Sequence, residues 1–171
     1  QVIFEKLEVT KSDGKPYTVF TPYSRMWKNR LASQMETIQE NGATQAISFF
    51  LKPYPTEKYY SNFWQTNSLS SPALSAMGFQ PSGITIPPPT VSRGLIKQYD
   101  KTRDFPYLNG TSRLGIHFRF GTISIREKAR RALELNETFL NELIWRDFYA
   151  QILFNFPHVA QGAFRPEYDH I

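Results

Sequence analysis

The chain has 171 residues, a formal net charge of +5 and no cysteine. Its length suits one domain with a substantial core, and the lack of cysteine excludes disulfides, thiolate metal sites and a cysteine nucleophile. No apolar run approaches the roughly 18 residues of a membrane-spanning helix, and no secretory signal pattern is present. We therefore expect a soluble, cytoplasmic protein. His117, His158 and His170 lie far apart in the sequence, so we expect no metal site.

The first part of the chain predicts two short strands. Apolar and β-branched residues between Val2 and Tyr17 surround the turn signal Ser12-Asp13-Gly14, which is typical of a hairpin. Two strands are not stable alone, so they should belong to a larger sheet. Phe20-Thr21-Pro22-Tyr23 then ends the second strand, and Ser24 can cap a short helix. We interpret residues 1–31 as the end of a domain.

The next segment, residues 32–88, predicts a long linker packed over the protein surface. It is rich in Pro, Ser, Asn and Gln, and the prolines at its end disfavour regular structure. Its many aromatic residues argue against free disorder, since such side chains favour burial.

From Thr90 onward the pattern becomes helical. Asn109-Gly110 predicts a turn, after which Thr111 or Ser112 can cap a helix that ends at Gly121.

Two further helices are predicted after that one. Ser124-Ile125-Arg126-Glu127 matches a capping box, and the buried side of the helix that it opens should hold Ala129, Ala132 and Leu133. The last helix should begin at Asn136 or Thr138 and end before Pro157.

Positive charge is concentrated between Val91 and Arg131, where ten basic residues face three acidic ones. Such an excess suits a polyanion, either nucleic acid or the phosphates of a cofactor. Solvated helix faces are the alternative interpretation.

The last predicted helix carries four unusual neighbours. Glu142, Trp145, Arg146 and Tyr149 are spaced i, i+3, i+4 and i+7, which places them on one stripe of the helix. An indole that stacks, a carboxylate that accepts from ring N–H groups and a guanidinium that binds phosphate suit a planar aromatic ligand. An internal Glu142–Arg146 ion pair with packed rings is the alternative.

The turn that starts at Asn109 is a candidate anion site. Thr111 and Ser112 supply hydroxyls, and a helix N-terminus there would offer free N–H groups and a favourable dipole. For an isolated turn of this kind, simple N-capping is the favoured interpretation.

Together these segments resemble class I cyclobutane pyrimidine dimer photolyases. The resemblance rests on Tyr99 to Arg103, Asp104-Phe105-Pro106, Gly110-Thr111-Ser112-Arg113-Leu114, Arg119-Phe120-Gly121 and the run from Asn141 to Tyr149, which occur in the family's order and spacing. The opening segment with Phe20-Thr21-Pro22-Tyr23 is similar to the end of that family's antenna-binding domain.

The resemblance implies a mainly α fold and three regions. Residues 1–31 would end the α/β antenna domain and keep two of its strands, 32–88 would be the interdomain linker, and 89–171 would begin the helical FAD-binding domain. The chain would then be an internal fragment of a longer protein. We expect it to contain no catalytic residue and, on its own, to bind flavin weakly or not at all and to repair no DNA.

The resemblance also assigns roles to individual residues. The residues implied to bind FAD are Tyr99, Thr111, Ser112, Arg113, Leu114, Gly115, Phe139 and Arg146. The residues implied to bind DNA and the flipped-out pyrimidine dimer are Arg103, Glu142, Trp145 and Tyr149. Gly115 replaces a serine that is common in the family, and Phe139 stands where tryptophan is frequent.

The implied activity is light-driven splitting of pyrimidine dimers in DNA by electron transfer from reduced FAD, in a monomer without membrane or metal partners. A second antenna chromophore, of folate or deazaflavin type, would accompany the flavin. A cryptochrome-like photoreceptor that binds FAD without repair is the main alternative, and Glu142 beside Trp145 favours repair. A nucleic-acid-binding helical module without a cofactor is the third.

Overall fold

A computed structural model describes residues 2–40, 42–65 and 70–170. These residues are mainly helical, as predicted, and they include one two-stranded antiparallel sheet. The chain divides into two compact units, one formed by Gln1–Lys52 with Pro89–Ile171 and one by Pro53–Pro88. Within the described ranges no helix combines the length and apolar character needed to cross a membrane. The division into antenna domain, linker and FAD-binding domain stays a prediction.

The two strands predicted between Val2 and Tyr17 are wrong. This segment is a series of turns, in which the Lys11 N–H donates to the Lys15 carbonyl at 2.9 Å around Gly14, which has a φ of 77°. The N–H groups of Ile3 and Phe4 donate to the side chain of Asp147 rather than to a neighbouring strand. The predicted turn is present, whereas the strands are not.

The first helix, α1, spans Phe20–Ala32 and is longer than the short helix predicted. Pro22 lies in its first turn, where proline is tolerated because the N–H groups there have no partner within the helix. Ser24 is therefore inside the helix and does not cap it, and its hydroxyl donates to the Thr21 carbonyl at 3.1 Å. The apolar face of α1 buries Trp27, which is completely inaccessible to solvent.

A β-hairpin follows directly, in a segment predicted to be a linker over the protein surface. Strand β1 (Met35–Glu40) pairs antiparallel with β2 (Ala43–Ser48), with Met35 opposite Ser48. The sequence signal is the dipeptide at positions 41 and 42, because Asn-Gly is a strong two-residue turn signal. Gly42 adopts the left-handed conformation, with a φ of 78°. The hydroxyl of Ser48 fixes the hairpin to α1 by donating to the Leu31 carbonyl at 2.6 Å.

The second unit, Pro53–Pro88, has 3-10 turns at Thr56–Asn62 and Leu74–Met77. Its aromatic side chains are mostly exposed, against the expectation that they would be buried, and Trp64 is 79% exposed.

The remaining helices belong to the first unit. They are α2 (Arg93–Lys97), α3 (Tyr99–Thr102), α4 (Gly115–Phe120), α5 (Ile125–Leu135) and α6 (Glu137–Asn155). The start predicted for α4 is wrong, since neither Thr111 nor Ser112 caps it and Leu114 occupies the N-cap position. Arg113 has a φ of 52°, a left-handed conformation that a helix cannot continue through. The predicted end at Gly121 is confirmed.

Helix α5 begins as predicted, because the Ser124 side chain accepts from the Glu127 N–H at 3.3 Å. Only this half of the capping box is seen, and the Glu127 carboxylate pairs instead with Arg131 at 2.8 Å. Ala129 and Ala132 are buried as predicted, whereas Leu133 is 51% exposed.

Helix α6 is the central element of the first unit. Asn136 caps it by accepting from the Phe139 N–H at 3.1 Å, and the helix ends at Asn155, before Pro157, as predicted. Its buried side chains cover much of the helix circumference and comprise Phe139, Leu140, Leu143, Ile144, Asp147, Phe148 and Gln151. It packs against α1, α3 and α5. This burial fixes the partly exposed residues of α6 in place.

Candidate lesion and cofactor site

Glu142 of α6 forms an ion pair with Arg103, which directly follows α3. Each side chain retains about a third of its exposure, at 33% for Arg103 and 36% for Glu142. Arg103 also contacts Asp104, with Nε 3.2 Å from the carboxylate oxygen. Glu142 is thus held by a residue outside its own helix, and Arg146, the partner in the alternative interpretation, donates to the Phe118 carbonyl at 3.0 Å.

Tyr99 lies beneath this ion pair. The guanidinium of Arg103 lies 5.7 Å from the centre of the Tyr99 ring, and the same ring packs edge-on against Phe139 with centroids 5.1 Å apart. Burial and the neighbouring Glu142 carboxylate raise the pKa of the Tyr99 phenol. Tyr99 therefore stays neutral and links the core to the charged pair above it.

Trp145 lies one turn further along α6 in a cluster of aromatic rings. Its indole is parallel to the ring of Phe20, with centroids 3.6 Å apart and planes 4° apart. Tyr149 lies beside the indole at 5.4 Å and is itself 57% exposed. The indole is thus held by neighbouring rings while it remains partly exposed, which suits a ligand-stacking residue.

The loop before α4 carries the proposed anion-binding residues. Thr111 and Arg113 are exposed and Ser112 is half-buried. The helix that follows has only six residues, so its dipole is weaker than predicted. This loop can therefore contact a phosphate through hydroxyls and a guanidinium, rather than through a helix N-terminus.

Not every predicted cofactor residue can touch a ligand with its side chain. Leu114 and Phe139 are only 1% and 2% exposed and lie in the core. Gly115 is exposed at the start of α4, with open space where a Cβ would stand. The polar residues of the loop fit an FAD phosphate, whereas Leu114 and Phe139 fit only a supporting role.

The basic residues between Val91 and Arg131 are partly neutralised. Arg93 lies 3.8 Å from Glu134, and Lys128 is 5% exposed beside Glu127. Six other basic side chains are exposed, namely Lys97, Lys101, Arg113, Arg119, Arg126 and Arg131, and of these Arg131 is paired with Glu127. The remaining exposed charge can still attract a polyanion.

Comparison with known proteins gives a consistent result. The chain is 31% identical over 157 residues to a deoxyribodipyrimidine photo-lyase of Alkalihalophilus pseudofirmus, covering 88% of this chain and 32% of that protein. Proteins of the same name match from Halobacterium salinarum (27% identity, 95% of this chain, 35% of that protein) and Streptomyces griseus (30%, 94% and 34%). Over most of its length the chain is similar to deoxyribodipyrimidine photo-lyases. It spans about a third of the length of these photolyases. No family model matches the chain.

The structure brings some of the predicted residues together. Tyr99, Arg103, Phe139 and Glu142 form one contiguous cluster, and Trp145 and Tyr149 form the next turn of the same helix face. Thr111, Ser112 and Arg113 lie on the loop before α4. That helix contacts α6 through the bond from Arg146 to Phe118.

The sequence interpretation missed one important residue, Asp147. Its carboxylate is 2% exposed and accepts from the Trp27 indole N–H at 3.0 Å and from the Ile3 and Phe4 N–H groups at 3.1 Å. Burial raises the pKa of this carboxyl group, although the three donors act in the opposite direction. Asp147 fixes α6 to α1 and to the N-terminal segment. A lone carboxylate among apolar residues of a buried helix is the signal that could have revealed it.

A cleft of about 480 Å³ lies elsewhere in the first unit, between α1, the hairpin, α5 and α6. Residues predicted to bind FAD or DNA do not line it. Within the described ranges no three His, Asp or Glu residues are grouped closely enough to hold a metal ion.

Proposed function

We propose that the whole protein to which this chain belongs is a light-driven DNA-repair enzyme, a deoxyribodipyrimidine photo-lyase. It would split cyclobutane pyrimidine dimers by electron transfer from reduced FAD. The observation that carries this proposal is the partly exposed Glu142 carboxylate, one helical turn from the partly exposed Trp145 indole, on a helix that is otherwise fixed by burial. The similarity to proteins named photo-lyases supports the same reading.

The lesion would be recognised by shape and hydrogen bonding. Enzymes that act on a base, photolyases among them, take it out of the stack and read its edge in a pocket. In this chain Glu142 would accept from pyrimidine ring N–H groups, and Trp145 with Tyr149 would offer the aromatic surface. The exposed side of Arg103 would meet a backbone phosphate, which must then compete with Glu142 for the guanidinium.

The cofactor would be held by the loop before α4. Thr111, Ser112 and Arg113 would bind the FAD phosphates through hydroxyls and positive charge, and Arg146 would lie near the flavin. When bound, a reduced flavin supplies the electron that light excitation makes available. Tyr99 and the buried Phe139 would support this side of the site. A second antenna chromophore, of folate or deazaflavin type, is proposed for the whole protein, which we expect to be a monomer.

The test uses the full-length protein, purified and examined for flavin absorption bands. The reduced protein is then mixed with an oligonucleotide that contains one thymine dimer, and dimer loss is followed in blue light and in darkness. We expect flavin bands and repair that depends on light. Flavin bands without repair would favour a cryptochrome-like photoreceptor, and a protein without flavin that still binds DNA would favour a helical binding module.

A further inference from the structure

Phe20 contacts the proposed lesion site from outside the helix that carries it. It is the first residue of α1, and its ring is partly buried against the indole of Trp145 on α6. The two rings are almost parallel, with centroids 3.6 Å and planes 4° apart. One face of the indole is therefore covered by protein. Tyr149 also lies near the indole, with centroids 5.4 Å and planes 23° apart, and the indole remains partly exposed.

A third ring locks this arrangement. Phe148 packs edge-on against both partners, at 5.6 Å from Trp145 and 5.8 Å from Phe20. Phe148 is only 5% exposed, so it connects the pair to the core. The indole is thus restrained on its face by one ring and on its edge by another, and its rotamer is fixed before any ligand arrives.

Such restraint matters for ligand binding. Ordering a side chain when a ligand binds costs free energy, and a group that is already held avoids that cost. Without Phe20 the indole would lose the contact on its covered face and could turn toward the vacated space. Phe20 thus bears on how well a planar ligand is recognised, in addition to its part in packing.

We propose that Phe20 is a positioning residue for Trp145 in the lesion site, a role that rests on the proposed function. Phe20 does not touch the dimer. It holds the indole in the orientation that stacks on the flipped-out pyrimidines, so it acts on the preference for damaged over undamaged DNA. The motif that contains Phe20 was assigned by resemblance to the end of the antenna domain. That segment would therefore contribute to the lesion site.

The test measures dark binding of the full-length protein to an oligonucleotide with one thymine dimer and to the same oligonucleotide without it. The readout is the ratio of the two dissociation constants. Phe20→Leu removes the stacked ring, and we expect the ratio to fall about threefold to tenfold. Phe20→Tyr keeps the ring and should restore the ratio.

Phe50→Leu serves as the matched control. Phe50 is also partly buried, and its ring packs against Phe4 at 4.7 Å and Phe49 at 5.6 Å. Thermal denaturation measures how much stability each variant loses. The ratios of dissociation constants are then compared between variants that lose the same stability. Incorporation of 5-fluorotryptophan gives a ¹⁹F signal for Trp145, identified with Trp145→Phe, that should shift in Phe20→Leu and remain unchanged in Phe50→Leu.

The outcomes separate the two claims. A ratio that Phe20→Leu leaves unchanged, or lowers no more than Phe50→Leu does, overturns the positioning role while the proposed function stands. An unaltered protein with no preference for the dimer overturns the proposed function and the positioning role together.

Discussion

Arg103 and Glu142 form an ion pair that joins the segment after α3 to the middle of α6. The pair is partly exposed and lies over the ring of Tyr99. In the proposed function each member has a second partner, a backbone phosphate for Arg103 and the lesion for Glu142. The ion pair therefore belongs to the ligand-free state, and binding must rearrange it.

This competition predicts how Glu142→Gln changes binding to undamaged DNA. The variant removes one of the two carboxylates that contact Arg103, and Asp104 remains. Phosphate then has less competition for the guanidinium, so we expect affinity for an undamaged oligonucleotide to rise about twofold to fivefold at low salt, the range of a partly exposed ion pair. Fluorescence anisotropy at fixed ionic strength measures the effect.

The control for that effect is Glu134→Gln, which removes the same charge from a side chain paired with Arg93 at 3.8 Å. An equal rise in both variants would mean that only net charge matters. A fall in affinity for Glu142→Gln would contradict the competition.

Asp147→Asn should destabilise the fold. The Asp147 side chain accepts from three N–H donors in a buried site, whereas an amide offers one acceptor oxygen and places its own N–H₂ group against a donor. We expect the free energy of unfolding to fall by about 1–3 kcal/mol, measured by urea denaturation. Asp104→Asn, at a side chain that is 75% exposed, should change it by less than about 0.5 kcal/mol.

Asp147 should also make the stability of the fold depend on pH. Burial raises the pKa of Asp147 in the folded chain above its unfolded value, so the folded state binds the proton more tightly. The proton-linked part of its contribution to stability, which is separate from the hydrogen bonds considered above, therefore favours folding below the unfolded pKa of about 3.9 and is lost as pH rises through the folded pKa. We expect the difference in unfolding free energy between the unaltered chain and Asp147→Asn to decline as pH rises from the unfolded to the folded pKa of Asp147. Denaturation of both proteins over that pH range measures this difference. A difference that grows with pH would mean that the three hydrogen bonds outweigh burial.

Two glycines of the proposed cofactor segment should respond in opposite ways to alanine. A Cβ at Gly110 would lie 2.6 Å from the Thr102 carbonyl oxygen, whereas one at Gly115 would meet open space. We expect Gly110→Ala to destabilise the chain by about 1–3 kcal/mol through overpacking. Gly115→Ala, at the start of α4, should be neutral or stabilise by up to about 1 kcal/mol. Thermal denaturation distinguishes the two, and equal effects would argue against the close approach of Gly110 to Thr102.

Local signals predicted part of the fold well. The Asn136 and Ser124 caps and the stop at Gly121 are set by hydrogen bonds within a few residues, so short sequence patterns contain them. The strands predicted near Gly14 failed because the Ile3 and Phe4 N–H groups have a partner more than 140 positions away, in Asp147. Hydrogen bonds between residues so far apart in the sequence do not affect the local pattern of apolar and polar residues.

In the candidate site, too, local features were predicted from the sequence and contacts between distant segments were not. Helical spacing alone placed Glu142, Trp145 and Tyr149 on one face. It could not show that Arg103 holds Glu142 or that Phe20 covers the indole, because both partners come from other elements. The order of the motifs indicated the family, whereas the contact partners of Glu142 and Trp145 are determined by tertiary packing.

The central claim is that this face of α6 holds the lesion during light-driven repair. The most direct measurement is the rate of dimer splitting by the reduced full-length protein under blue light, compared among the unaltered protein, Trp145→Ala and Leu153→Ala. Leu153 is on the same helix and is 52% exposed. We predict rapid light-dependent repair by the unaltered and Leu153→Ala proteins and at least about tenfold slower repair at limiting DNA by Trp145→Ala. Equal repair by all three would contradict the site, and flavin binding without any repair would contradict the function.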